Sequence, residues 1–151
     1  MITDALLELS LAQPVTATAV SANTIDLSVV RDIGAGEDVY AQFAVDVAAA
    51  AAGLATVSFE VITSAAPLLT APTVIASSGA IPVADLAAGR VPISICLNQS
   101  ALTTLPIGQR YLGVRYTVAV GPLTAGSFTA YITDESSNGS NKIYPGGFTV
   151  L

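Results

Sequence analysis

What most limits the fold of this chain is its punctuation. Short runs rich in Val, Ile, Thr and Tyr succeed one another from end to end, divided by Gly, Pro, Asn and Ser, at intervals of roughly ten to fifteen residues, the pattern of a β-sandwich or barrel. Helical periodicity is nearly absent. The runs predict strands at 15–20, 24–29, 39–47, 56–63, 73–76, 91–97, 110–120, 127–133 and 148–151. A chain of 151 residues is long enough to bury one core, so these strands are expected to form one domain.

Two runs show their faces. In TVSFEVIT, residues 56–63, Val57, Phe59 and Val61 alternate with Ser58, Glu60 and Ile62, which gives the strand one clearly apolar face. In 110–120, Leu112, Val114, Tyr116 and Val118 alternate with Tyr111, Gly113, Arg115 and Thr117, one apolar face and one mixed. GPLTAG, residues 121–126, then returns the chain: Pro122 suits the second position of a turn, while Gly121 and Gly126 permit backbone angles that other residues resist. The expectation is a hairpin between the strands at 110–120 and 127–133.

Other stretches are less strand-like. PVADLAAG, residues 82–89, predicts one helical turn closed by Gly89. VAAAAAGLA, residues 47–55, has helix-forming alanines, but strand runs flank it and Gly53 ends it, which predicts a loop or single helical turn across the sandwich edge. Near the N-terminus, Leu7, Leu9 and Leu11 alternate as on a strand, while Leu7 and Leu11 also stand four apart as on a helix face. Residues 1–14 are expected to be an N-terminal arm ahead of a sandwich domain at 15–151. The arm either packs on a neighbouring subunit or closes the bottom of its own sandwich.

Charge bears on the surface. Only 11% of the residues are charged, against about 25% in ordinary soluble domains. A compact monomer of this size exposes roughly 7,000 Å², so five Lys and Arg with eleven Asp and Glu leave about one charge per 400 Å² or more. Wide uncharged surface of this kind is expected of a protein that lives in an assembly. A covering of Ser, Thr, Asn and Gln is the plainer alternative. The net charge of −6 and the scattered Arg31, Arg90, Arg110, Arg115 and Lys142 argue against nucleic acid and anionic membranes, because contact with phosphates needs cationic clusters. Residues 61–84 and 91–109 carry no charge but hold prolines and many hydroxyl or amide groups, so no transmembrane span is expected. MITDALLELSLAQ, residues 1–13, has no cationic segment and predicts no secretory signal, which fits synthesis in the cytosol. Cys96 is alone; it rules out an intramolecular disulfide and reads as a buried small hydrophobe.

The residues offer little chemistry. There is no histidine, which excludes Ser-His-Asp and Cys-His nucleophile systems and imidazole-based zinc sites. GAG at 34–36 does not extend to a phosphate-binding fingerprint and reads as a turn. Asp134 and Glu135 are neighbours that a strand would point to opposite faces, unlike a glycosidase pair. DESSNG places Asp134, Ser136 and Asn138 at calcium-loop spacing, but Pro145 stands where the bidentate glutamate is needed. Asp32, Glu37 and Asp38 around the GAG turn could form only a weak surface cation site. Asn98 and Asn138 begin glycosylation tripeptides that mean little without secretion. The expectation is a protein that is not an enzyme and has no catalytic residues, cofactor, metal or small-molecule substrate.

Five phrases, VTATAVSANTIDL (15–27), RDIGAGEDVY (31–40), ATVSFEVITS (55–64), TVIASSGAIPVADLAAGR (73–90) and RYLGVRYTVAVGPLTAGSFTAYIT (110–133), resemble in that order the capsid cement, or decoration, proteins of tailed bacteriophages, the family typified by the Bordetella phage cement protein. LNQSALTTLPIG and DESSNGSNKIYPGG are not matched. The resemblance implies a jelly-roll-like antiparallel β-sandwich that binds the outer surface of the phage head as a small homo-oligomer. It would cement neighbouring major capsid subunits against internal DNA pressure, after synthesis in the host bacterial cytoplasm. The implied partners are the major capsid protein and a second copy of the chain, a homodimer being favoured because closed symmetry favours dimers, with a trimer as the alternative. Candidate interface residues are Leu7, Leu9 and Leu11 of the arm and Tyr116 and Tyr131 of the hairpin. Two readings of other classes stand beside this one. One is a β-rich receptor-binding or host-adhesion module of a tail or fibre. The other is a small hydrolase or lectin using Asp32, Glu37 and Asp38.

Overall fold

The computed structural model describes residues 4–28, 38–97 and 109–134. Among them are nine strands: β1 (Glu8–Pro14), β2 (Ala19–Val20), β3 (Ile25–Asp26), β4 (Val39–Ala50), β5 (Thr56–Ser64), β6 (Thr73–Pro82), β7 (Ile93–Leu97), β8 (Tyr111–Ala119) and β9 (Ala125–Thr133). They pair antiparallel in two sheets, ordered β1-β9-β4-β7 and β2-β8-β5-β6, with β3 continuing the line of β2 along β8. Strands in equal places of the two orders are consecutive in the chain: β1 with β2, β9 with β8, β4 with β5, β7 with β6. This is the jelly-roll order, an antiparallel β-sandwich as the sequence predicts. The helical turns are short 3-10 pieces at Ala5–Leu7 and Val83–Asp85, the second within the segment ended by Gly89 at φ +71°.

The expected hairpin at 110–133 is corrected. β8 and β9 lie in different sheets, and GPLTAG carries the chain from one sheet to the other. Leu123 is buried beneath that connection, its N–H donates to Thr16 O at 2.8 Å, and Thr124 N–H donates to Ala50 O at 2.7 Å, so the turn is bound to its neighbours.

For the N-terminal arm, the second of the two expected arrangements is the one observed. Residues 8–14 form an edge strand of the chain's own first sheet, paired with β9, so the arm and the sandwich are not separate units. The expected strand at 15–20 survives only as Ala19–Val20. Two further boundaries move. The alanine run after Val47 extends β4 to Ala50, paired with Ala125, because tertiary pairing overrides helix propensity. β6 runs on from Ala76 to Pro82 through a bulge at Ser78 and Gly79, where Phe59 N–H donates to Ser78 Oγ at 3.1 Å in place of a backbone carbonyl. The expected strand at 148–151 lies outside the described residues.

Between the sheets sits an aromatic cluster. Phe43 of β4 and Phe128 of β9 meet Phe59 of β5 and Tyr116 of β8, with ring centroids 5.1–6.2 Å apart. All four rings are fully buried. The Tyr116 hydroxyl shares a hydrogen bond with Ser10 Oγ of β1, which ties the second sheet to the edge of the first. Burial pushes the Tyr116 phenol well above its ordinary pKa.

The outer side of the second sheet has its own small packing site. Leu69, in the β5–β6 connection, is buried on Gly113 of β8, where a Cβ would overlap its side chain. Beside it Glu60 and Arg115, directly paired across β5 and β8, form an ion pair at 2.7 Å, and Thr117 donates to the same carboxylate oxygen at 2.8 Å.

A candidate interaction surface at one end of the sandwich

The jelly-roll order decides where the connections go. All four links between facing strands, β1–β2, β4–β5, β6–β7 and β8–β9, lie at one end of the sandwich. They are tied together: besides the bonds of Leu123 and Thr124, Ala49 N–H donates to Leu86 O and Val83 N–H to Ala55 O. Val15, Ala55, Leu86 and Leu123 are buried beneath them. This end therefore has a fixed shape. Its outward residues include Leu54, 88% exposed, Val120, 69% exposed, and Val47, 51% exposed, flanked by Thr16, Ala52, Gly53, Pro122 and Ala87. The charges in these four links are Asp85 and Arg90, and Arg90 Nη1 donates to Asp85 O at 2.6 Å. Among the described residues the end carries no net charge.

The opposite end is acidic. Asp4, Glu8, Asp26, Asp38 and Asp134 lie there against Arg110 among the described residues. Arg110 is committed to Asp26 by two bonds of 2.6 and 2.7 Å. This pairing, with the Ser28 N–H, lowers the Asp26 pKa from 3.8 to about 2. Exposed leucines occur here too, Leu6, Leu27 and Leu68, but they stand among carboxylates. Among the described residues the carboxylates thus gather at the end opposite the four links.

The five interface candidates scatter. Tyr116 and Leu9 are wholly buried in the chain's own core, and neither can face a partner; both are corrections. Tyr116 belongs to the apolar alternation of β8, so its face was fixed by its register. Tyr131 is 7% exposed, on the outward row of the first sheet between Glu8 and Gln42. Leu7 is half-buried against the core, and Leu11 faces solvent. The alternation of the three leucines breaks because β1 is irregular: its pairing shifts on either side of Ser10, and Ala12 adopts φ +42°.

Cys96 is another correction, being exposed. Ile95 and Leu97 take the core side of β7, which turns Cys96 outward opposite Tyr40 of β4. The Tyr40 phenol is held above its ordinary pKa by Cys96 first, then by partial loss of water and by Asp38.

At the acidic end an open crevice of about 480 Å³ is lined by Asp4, Leu7, Val39, Tyr131, Ile132, Thr133 and Asp134. Asp4 accepts from Leu6 N–H at 2.9 Å as the cap of the first 3-10 turn. Among the described residues no group of three metal-ligating side chains occurs, and no helix is long and apolar enough to cross a membrane. Asp32, Glu37, Glu135 and the glycosylation tripeptides lie outside the described residues, and so does most of the calcium-like loop.

The pattern of one protein family, Bbp16, matches residues 9–132. The chain belongs to the Bbp16 family. No curated protein matches the sequence. Bbp16 is a family of Bordetella phage proteins, consistent with a phage structural protein. The matched span begins inside β1 and ends inside β9, so it takes in both edges of the first sheet and all four links of the uncharged end. In this Bbp16 protein the exposed apolar residues of that end, Leu54 and Val120, were missed in the sequence. The signal for them was present: PVTAT, AAAGLA and VGPLTAG are free of charge, but only the fold places them side by side.

Proposed function

We propose that this Bbp16 protein is a capsid cement protein: a small homo-oligomer on the outer surface of a phage head that links neighbouring major capsid subunits and has no catalytic role. Family membership over residues 9–132 carries this reading. The fold supports it, since a jelly roll with a fixed, uncharged end offers a surface for protein contact that asks for no chemistry. Cementing works by multivalency. Each modest contact adds to the next because the capsid subunits are already held in place.

The test is co-sedimentation of the purified protein with expanded, undecorated phage capsids. Saturable binding at a fixed ratio to the capsid subunit, with a gain in capsid heat resistance, is expected, and the ratio identifies the occupied symmetry site. Absence of binding to such capsids, together with binding to host envelopes or glycans, would replace the cement role with host adhesion.

A further inference from the structure

We infer that the crevice at the acidic end, between the first 3-10 turn and the ends of β4 and β9, is a binding site for an arginine side chain carried on an extended segment of a partner protein. The inference does not depend on the capsid reading.

The lining of the crevice divides by chemistry. Leu7, Val39 and Ile132 supply its apolar part, and all three belong to the core or pack on it. Asp4 and Asp134, both exposed, supply its charge. Asp4 spends one carboxylate oxygen on Leu6 N–H at 2.9 Å, and Asp134 Oδ1 accepts from the Thr133 hydroxyl at 3.4 Å. Among the described residues neither has a cationic partner: Arg110 is held by Asp26, Arg115 by Glu60, and Arg90 donates to Asp85 O at the opposite end. Two carboxylates without a counter-charge in the described chain thus stand beside apolar surface.

That combination selects its occupant. An arginine lays its methylene stem along apolar surface and keeps its charged head with polar groups. Its planar fork serves two carboxylates at once, and it has less hydration to give up than an ammonium. A divalent cation is poorly served, since no group of three metal-ligating side chains occurs among the described residues. Asp4, Glu8, Asp26, Asp38 and Asp134 outnumber Arg110 at this end among the described residues, a field that repels phosphate-bearing or acidic ligands and draws in a basic segment. The volume of about 480 Å³ lies within the roughly 300–1,000 Å³ of ligand pockets, and the crevice is open, so a side chain can enter while its backbone stays outside. The seat is also pre-shaped. Leu7 N–H donates to Asp4 O at 3.0 Å, and β9 holds Ile132 opposite Ala41 of β4, so little ordering is needed on contact.

An amide chemical-shift titration of the isotope-labelled full chain tests this. The probe is a blocked pentapeptide with arginine at its centre and leucine on either side. Saturable shifts are expected at the amides of Leu7, Val39, Ile132 and Asp134. Citrulline in place of the arginine keeps the shape and loses the charge, and is expected to weaken binding by about tenfold; Asp4→Asn and Asp134→Asn are each expected to weaken it by about two- to fivefold, as for single exposed ion pairs. Asparagine still caps the turn at position 4, and thermal unfolding checks that the variants fold. Asp85→Asn, at the opposite end, is expected to leave binding unchanged. Raising salt from about 0.1 M to about 0.5 M is expected to weaken the arginine peptide and spare the citrulline one. Absence of saturable shifts at these amides, or equal binding of the two peptides, overturns the inference. Arginine-dependent binding by a protein that does not sediment with capsids supports the inference and removes only the capsid reading.

Discussion

Gly113 shows how a single position can be decided by its neighbour. A side chain is welcome at most places in a strand, and alanine would normally be tolerated there. Here a Cβ would overlap Leu69 Cδ1 and stand 3.0 Å from Ser21 Oγ. Leu69 is 2% exposed, so it has no free space to enter. Gly113→Ala is expected to cost about 1–3 kcal/mol of stability by overpacking. In a Leu69→Ala background the same change is expected to cost less than about 0.5 kcal/mol, because the two sites share one volume; urea denaturation of the four chains measures both. The glycine itself is plain in the sequence. Its reason is not, since Leu69 comes from a connection forty-four residues earlier, held by Ser64 Oγ donating to Thr70 O at 2.7 Å and by a left-handed backbone at Leu69.

Between elements, the tie of β3 to the start of β8 makes a pH-dependent contact. Arg110 and Ser28 N–H both favour the charged form of Asp26, whose pKa falls from 3.8 to about 2. A depressed carboxylate pKa means that the stabilisation is present above the ordinary value and is lost as pH drops through the folded one. The window is therefore from about pH 4 down to about pH 2. A carbon-detected NMR titration is expected to show Asp26 titrating near the bottom of that window. In Arg110→Ala its midpoint is expected to move back toward 3.8, stopping short because the Ser28 N–H remains. Titration near the ordinary value in the wild type would remove the pairing. Both members are about half exposed, so added salt is expected to weaken the effect.

For the molecule as a whole, the edge strand β1 is part of the core. It supplies Leu9, packed among the buried residues, and Ser10, the partner of Tyr116. Removing it also uncovers the ladder of β9. A chain that starts at Val15 is expected to lose the near-ultraviolet circular dichroism of the aromatic cluster and to aggregate, not to persist as a domain. A soluble, cooperatively unfolding product would restore the division between arm and sandwich. The same scale accounts for the surface: one end has no net charge among the described residues because the jelly-roll order gathers all four links there.

By itself, the sequence determined the all-β class, the core-facing residues of β5 and β8, the turn at 82–89 and the family likeness, because these rest on period-two alternation and on local turn chemistry. Tertiary structure alone decided that β8 and β9 part company into different sheets, that Leu9 is interior, and that the four links meet at one end. Local signals report that a chain turns. Which strand it turns toward depends on pairings between residues far apart in sequence, such as Tyr116 with Phe59 and Val45 with Phe128, and no local pattern records them.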